Sequence, residues 1–159
     1  MLDQKVIDIV NYRISQEQIS SKIYECAGLW LDNTGLKNFA TLYEKYAEEE
    51  IKHANWGKEF LLSYGIVPKL KAIPEQECEF ESLQEILELT QTHEQEISRQ
   101  CAELKVFACK GNYINLETLA LKYCAEQIEE ENKAQSILDH SKLTTDLLVF
   151  DNYIKENYL

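Results

Sequence analysis

The sequence is poor in the residues that interrupt helices. Its 159 residues include only five glycines and two prolines, whereas a β-rich fold needs frequent turns built on these residues. Residue types that favour helices, such as Glu, Leu, Lys, Ala and Gln, are abundant. We therefore expect an all-α chain, and its length predicts a single domain over residues 1–159.

Positive charge is scarce, and long apolar runs are absent. Lys and Arg number 16 against 28 Asp and Glu, which gives a formal net charge of -12. This balance argues against nucleic acid or an anionic membrane as a partner, because both attract clustered positive charge. The opening segment MLDQKVIDIV lacks the pattern of a signal peptide, and no apolar run is long enough for a membrane span. We expect a cytoplasmic protein whose acidic charge suits metal cations.

The cysteines lack the spacing of a metal or haem motif. They are odd in number and far apart, without a CxxC or CxxCH segment. The five are Cys26, Cys78, Cys101, Cys109 and Cys124. We expect them to be reduced and to act as small apolar side chains on helices.

Apolar residues recur at helical spacing in four long segments and one short one. The pattern predicts helices over about 2–31, 36–64, 83–110 and 116–140, and a short fifth helix within 145–156. Short polar turns close two hairpins, whereas residues 65–81 form a long connection that ends at a capping box of Ser82 and Glu85. Such a connectivity predicts a four-helix bundle whose second and third helices are parallel.

Polar residues interrupt the apolar face of each long helix. Steps of three and four residues along these faces pass through Glu17, Glu50, His53, Glu94, Gln127 and Glu130. Adding 77 to positions 17, 50 and 53 gives 94, 127 and 130, so the two hairpins look like copies of each other. The match predicts that these side chains meet at one level of the bundle as a symmetric binuclear site.

The carboxylates of this set require counter-charge. Burying each ionised carboxylate costs on the order of a few kcal/mol. Two divalent cations would supply four positive charges against the four Glu side chains. Carboxylate oxygens with one imidazole suit iron, manganese or zinc rather than copper. A Glu-x-x-His pair facing single Glu residues is typical of di-iron carboxylate bundles. We therefore interpret the set as a di-iron centre.

The segments YAEEEIKHA, THEQEI and AEQIEEE make the sequence similar to the bacterial non-haem ferritins, and the similarity extends over nearly the whole chain. The resemblance implies a ferritin-like four-helix bundle with a long crossover and a short fifth helix. It also implies ferroxidase activity, in which Fe(II) is oxidised to Fe(III) with O2 or H2O2. Storage of ferric mineral in a hollow homo-oligomer of twenty-four subunits is implied in the same way.

The resemblance also assigns residues to the irons. The first iron would be held by Glu17, Glu50 and His53. The second would be held by Glu50, Glu94 and Glu130, with Gln127 nearby, so that Glu50 bridges the pair. A third iron would be held by Glu49, Glu126, Glu129 and the shared Glu130.

Two further positions follow from the same resemblance. Tyr24 would be an auxiliary residue that hydrogen-bonds a ligand or supplies an electron. Haem binding is not expected, because Ile51 stands where haem-binding relatives carry a methionine.

Two other functions compete with a ferroxidase that stores iron. A rubrerythrin-like oxidase or peroxidase would act without storage, but such proteins usually carry a second Glu-x-x-His pair, and here Gln127 and Glu130 take that place. A structural cage subunit without ferroxidase activity would be expected to have lost several ligands of the centre, whereas this chain keeps them.

Overall fold

A computed structural model describes residues 1–159 of the chain. The chain consists of five helices and contains no strands. The helices are α1 (Gln4–Asn33), α2 (Lys37–Ser63), α3 (Leu83–Lys110), α4 (Ile114–Ser141) and α5 (Leu147–Tyr158). Helix α1 packs on α2 and α3 packs on α4, which makes two hairpins, and α5 packs on α2. The predicted four-helix bundle with a short fifth helix is confirmed.

The helix ends differ from the prediction by a few residues. Helix α1 continues through Asn33 into the predicted turn, because the chain reverses only at Gly35, whose φ is 91°. The second turn contains Asn112 with a φ of 55°, and α4 begins two residues after it at Ile114, which is two residues earlier than predicted. The predicted cap of α3 is present, since the Ser82 hydroxyl accepts a hydrogen bond of 3.1 Å from the Glu85 amide.

The crossover between α2 and α3 runs along α1. Near its start, the Lys69 amide donates a hydrogen bond of 2.8 Å to the side chain of Asn11. Near its end, Cys78 is bonded to Cys26. These two contacts on α1 are fifteen residues apart, which is about 22 Å of helix. The crossover therefore travels back along the bundle, and α2 and α3 are parallel as predicted.

The prediction that all cysteines are reduced apolar side chains is wrong for two of them. Cys26 on α1 and Cys78 in the crossover form a disulfide across a sequence separation of 52 residues. Their spacing in the sequence does not reveal this pairing, because it arises from the path of the crossover over α1. Cys101 is only 1% exposed and does fill the core, whereas Cys109 is exposed at the end of α3.

The apolar core consists of two clusters at opposite ends of the bundle. The first cluster contains Val6, Val10 and Ile14 of α1 together with residues of α2, α3 and α4. The second contains Tyr24 and Leu31 of α1 and reaches α5. Between Ile14 and Tyr24, the buried residues of α1 are polar. The two clusters therefore enclose a polar layer in the middle of the bundle.

Helix α5 closes the end of the bundle at which α2 begins. Phe150 and Ile154 are buried in the second cluster. The carboxylate of Asp151, also buried, accepts hydrogen bonds from the Asn38 and Phe39 amides at 3.2 and 2.9 Å. A carboxylate at the N-terminus of α2 is favoured by the helix dipole. These contacts supply the burial partner of α5 that its sequence does not indicate.

None of the five helices combines the length and the hydropathy that a membrane crossing requires.

Candidate metal centre

The polar layer brings together side chains from all four long helices. The six inward-facing polar residues that the helical pattern predicts are all buried there: Glu17, Glu50, His53, Glu94, Gln127 and Glu130. Uncompensated burial of so many ionisable groups is costly, because water is replaced by an apolar surrounding. The layer is therefore a site at which counter-charge is needed.

The first hairpin forms a compact group of potential ligands. His53 Nδ1 lies 3.2 Å from Glu50 Oε2 and 3.8 Å from Glu17 Oε2. One ligand atom from each of these three residues lies within 4.8 Å of the others. Bonds of about 2.1 Å place the ligand atoms of a cation about 3 to 4 Å apart, so only small movements are needed for these atoms to share one ion.

The second hairpin holds its carboxylate differently. Glu94 Oε1 accepts a hydrogen bond from the Tyr24 hydroxyl, and Glu94 Oε2 accepts one from Gln127 Nε2. Gln127 Nε2 also lies 3.0 Å from the Glu94 carbonyl oxygen. Glu130 lies 3.6 Å from Lys133 Nζ. The two hairpins thus place matching positions at one level, but the site is not symmetric in its contacts.

Burial changes the proton affinity of these carboxylates. It raises the pKa of Glu50 to about 7, and the neighbouring charges of Glu94 and Glu130 act in the same direction. Burial also raises the pKa of Glu130 to about 7, with Lys133 opposing it. The pKa of Glu17 is raised well above its usual value by burial, although Arg13 lowers it. A cation entering this layer would therefore compete with protons.

Arg13 belongs to the layer, although the sequence analysis did not select it. Its side chain is buried, and its Nε lies 2.9 Å from Glu17 Oε1. Its Nη1 donates a hydrogen bond of 2.9 Å to Gln100 Oε1 on α3. The spacing of four residues between Arg13 and Glu17 on one helix was the available signal. The charge count made from the sequence omitted this cation.

The structure brings together only part of the proposed third iron site. Glu126 Oε1 lies 3.6 Å from His53 Nε2. Lys133 Nζ lies between Glu49 and Glu130, at 3.9 and 3.6 Å from their carboxylates. Glu129 is exposed, and no hydrogen bond or ion pair joins it to the others. Lys133 is a second cation that the sequence analysis missed, three residues after Glu130.

Tyr24 is in contact with the centre. It is buried, and burial raises the pKa of its phenol well above the usual value, so the hydroxyl stays protonated and donates to Glu94. Its ring lies 5.5 Å from that of Tyr46 and 5.8 Å from that of His93. His93, to which the sequence assigned no role, lies 2.8 Å from the Ser20 hydroxyl.

The donor set fits hard divalent cations. It consists of carboxylate oxygens and one imidazole, which is the ligand chemistry preferred by iron, manganese and zinc. Glu49 Oε2 is buried at the edge of the layer without a hydrogen-bond partner, so it is an available acceptor. No cluster of thiols competes for softer metals, since Cys101 and Cys124 lie in the apolar cluster beside the layer.

Known proteins share both the sequence pattern and the fold. The ferritin-like domain family matches residues 7–144. A bacterial non-heme ferritin of Escherichia coli O6:H1 is 27% identical over 143 residues, which cover 90% of this chain and 87% of the relative. A bacterial non-heme ferritin-like protein of Haemophilus influenzae is 33% identical over 141 residues, which cover 87% and 84%.

A solved structure has the same arrangement of helices. The open pore ferritin of Archaeoglobus fulgidus superposes with a TM-score of 0.93 at 26% identity, over 97% of this chain and 98% of the other. The match covers the bundle, the crossover and the fifth helix. Given the family match, the relatives and a polar layer of carboxylates inside a four-helix bundle, this chain belongs to the ferritin-like family, whose members store or oxidise iron.

Proposed function

We propose that the chain is a ferroxidase subunit that oxidises Fe(II) with O2 or H2O2 and passes ferric iron to a mineral stored in a hollow homo-oligomer. The observation that supports this most is the buried group of Glu17, Glu50 and His53 facing Glu94 and Glu130 across the bundle. A scaffold without metal chemistry gains nothing from burying four carboxylates at one level, because each one destabilises the fold.

Two Fe(II) ions are the substrate of this centre. Glu17, Glu50 and His53 hold the first ion, and Glu50, Glu94 and Glu130 hold the second, so Glu50 bridges the two. The protons that burial keeps on these carboxylates leave as the cations enter. The short contacts of His53 with Glu50 and Glu17 support the first position most strongly.

The electrons come from the metal. Each Fe(II) gives one electron, and O2 takes two electrons and two protons to become H2O2. With H2O2 as the oxidant, two electrons and two protons yield two water molecules. Oxidation adds two positive charges to the centre, and hydrolysis of the ferric pair to an oxo-bridged species offsets them. The product is then bound less tightly than Fe(III) alone and moves on to the mineral.

Other residues of the layer hold the ligands in place. Tyr24 and Gln127 donate to the two oxygens of Glu94 and fix its orientation. A third iron at Glu49, Glu126, Glu129 and Glu130 would have to displace Lys133 from its place between Glu49 and Glu130. Lys133 therefore competes with iron at the third position.

Storage requires assembly. A groove of about 780 Å³ lies open along α1 and α2 and includes the exposed side chains of Leu29 and Ile51. An open groove that combines apolar and charged side chains offers a surface on which a second subunit could pack. The proposed assembly is a cytoplasmic homo-oligomer of twenty-four single-domain subunits, a number taken from the resemblance to ferritins.

The test compares the protein with its Glu50→Ala variant. Both are loaded anaerobically with two Fe(II) per subunit and exposed to air, and the transient absorbance of a diferric species is followed. Light scattering measures the particle size. The control variant is Glu59→Ala, an exposed residue on the same helix.

Fast oxidation that Glu50→Ala abolishes and Glu59→Ala leaves intact, in a large hollow particle, is the expected result. Slow oxidation that neither substitution changes would overturn the catalytic proposal. Fast oxidation by a small particle would overturn storage and indicate a di-iron oxidase.

A further inference from the structure

Arg13 is the one fixed positive charge buried beside the proposed iron ligands. We propose that Arg13 is a positioning residue that makes Glu17 bind the first iron through one oxygen only, and that its charge weakens cation binding at this position relative to the second. The inference rests on the proposed metal centre at Glu17, Glu50 and His53.

The two oxygens of Glu17 face different groups. Oε1 lies 2.9 Å from Arg13 Nε. Oε2 lies 3.8 Å from His53 Nδ1, on the side of Glu50. A cation shared with His53 therefore meets Oε2, whereas Oε1 is held by the guanidinium. Two-oxygen binding would bring the cation close to the guanidinium at Oε1, which repels it.

Arg13 is itself held in place. Its Nη1 donates to Gln100 Oε1 at 2.9 Å, and its guanidinium carbon lies 6.0 Å from the centre of the Tyr123 ring. The side chain is only 2% exposed, so water does not screen its charge. An arginine keeps its charge at every physiological pH. Arg13 is thus a permanent, immobile cation in the layer.

Two N–H groups of Arg13 have no hydrogen-bond partner. Its Nε and Nη2 are buried without a hydrogen bond of good geometry, although Glu17 is close to Nε. Buried donors of this kind usually find a partner. A small rotation of the Glu17 carboxylate, of the sort that metal binding at Oε2 would cause, would let Oε1 accept a hydrogen bond from Nε.

The sum of the charges in the layer shows which iron position Arg13 affects. Four Glu side chains supply four negative charges, two Fe(II) ions supply four positive charges, and Arg13 adds one more. Lys133 is a second cation, 3.6 Å from Glu130, but its side chain is 28% exposed and water screens its charge. The charge of Arg13 is buried next to Glu17, so the first iron position experiences it directly. In the second hairpin, the residue 77 positions later is Thr90, a neutral side chain that hydrogen-bonds Tyr43 at 2.7 Å. The two iron positions should therefore differ in affinity.

The test uses Zn²⁺, which binds without redox chemistry. Calorimetry measures the two affinities per subunit in the native protein, in Arg13→Gln and in Arg13→Lys. Difference infrared spectroscopy of the carboxylate stretches separates one-oxygen from two-oxygen binding. Arg99→Gln, which removes an exposed arginine of α3, is the matched control.

Arg13→Gln is expected to tighten the weaker Zn²⁺ position by about tenfold or more, since a buried like charge repels the cation. The same variant should show a new two-oxygen carboxylate signal. Arg13→Lys keeps the charge and loses the Nε contact, so its affinity should stay near the native value while the infrared signal changes. If Arg13 only supports the fold, Arg13→Gln should weaken Zn²⁺ binding or leave it unchanged, and should not tighten it.

Unchanged affinity and an unchanged infrared spectrum in Arg13→Gln would overturn the inference, and so would weaker binding. If Arg13→Gln does not fold, an unchanged infrared signal in Arg13→Lys has the same consequence. Native protein that binds no Zn²⁺ at all would overturn the metal centre itself along with this inference. If the native protein binds Zn²⁺ at two positions and the Arg13 variants show the same affinities and infrared spectra, only the role of Arg13 is overturned.

Discussion

The two hairpins match in sequence position and differ in how they hold their carboxylates. Glu17 of the first hairpin faces a buried guanidinium, whereas Glu94 of the second receives hydrogen bonds from a phenol and an amide. His53 of the first corresponds to Glu130 of the second, 77 residues later. The matching positions thus place the proposed ligands at one level, while the residues around them differ between the two halves.

The difference has a chemical consequence. In the first half, charge is balanced by an ion pair that a metal does not need to displace, because only one oxygen of Glu17 is engaged. In the second half, both oxygens of Glu94 accept hydrogen bonds from neutral donors, which can persist while the remaining lone pairs of the carboxylate bind a metal. The first half therefore holds its carboxylate with a charged partner and the second half with neutral donors, so a cation meets more positive charge in the first half.

The largest expected difference between the two halves is in the rate of Fe(II) oxidation, when His53→Ala is compared with Gln127→Ala. The first removes a proposed direct ligand, so Fe(II) oxidation should slow by at least about a hundredfold, whereas the second removes a hydrogen-bond donor to a proposed ligand and should cost about tenfold. Stopped-flow absorbance with two Fe(II) per subunit measures both rates. Equal losses would show that Gln127 binds metal as directly as His53 does.

A smaller effect is expected in the stability of the metal-free protein. The pKa values of Glu50 and Glu130 are about 7 in the folded state and near 4.5 without burial. Between these values the folded state holds more protons than the unfolded state, so the free energy of unfolding falls as the pH rises from about 5 to about 7, by up to a few kcal/mol.

Thermal unfolding followed by circular dichroism, with a chelator present, measures this dependence. Glu50→Gln and Glu130→Gln should each remove part of the fall, one from each hairpin, and Glu17, whose pKa burial also raises, should account for the remainder. Saturating Zn²⁺ should reverse the trend, because cations bind better as the protons leave. A metal-free melting temperature that rises steadily over this pH range would contradict the assigned pKa shifts.

Tyr24→Phe tests the neutral donors of the second half. Loss of its hydrogen bond to Glu94 should lower the free energy of unfolding by about 1 kcal/mol and slow oxidation several-fold. The matched control is Cys101→Ala, at the position 77 residues later, where the side chain lies in an apolar cluster. That variant should lose stability without a change in the oxidation rate. An oxidation rate that Tyr24→Phe leaves at the native value would remove Tyr24 from the centre.

The smallest expected effect concerns packing. A Cβ at Gly57 would lie 2.7 Å from Cγ1 of Ile14, so Gly57→Ala should destabilise the fold by about 1 kcal/mol despite the better helix propensity of alanine. In the second half the corresponding residue is Ala134, and Ala134→Gly should cost about as much through helix propensity alone. Urea unfolding measures both. A stabilised Gly57→Ala variant would show that Ile14 has room to move.

The features predicted from the sequence are those that depend on position along one helix. The spacing of Glu17, Glu50 and Glu94 within their helices was sufficient to predict that they are buried. Arg13 lies on the helix of Glu17 and Lys133 on the helix of Glu130, but the sequence does not distinguish a cation that faces the polar layer from the many exposed ones. The contact of Cys26 with Cys78 and the exposure of Glu129 depend on how separate elements pack, which periodicity does not report.

The disulfide between Cys26 and Cys78 determines what a cut in the crossover would release. Residues 67–75 of the crossover are largely exposed, and they lie between the two hairpins in the chain. Cys26 belongs to the fragment before such a cut and Cys78 to the fragment after it. After a protease cuts this segment, the disulfide would still join the two hairpins covalently. Two fragments of different mass would appear on a denaturing gel only after a reductant breaks that bond.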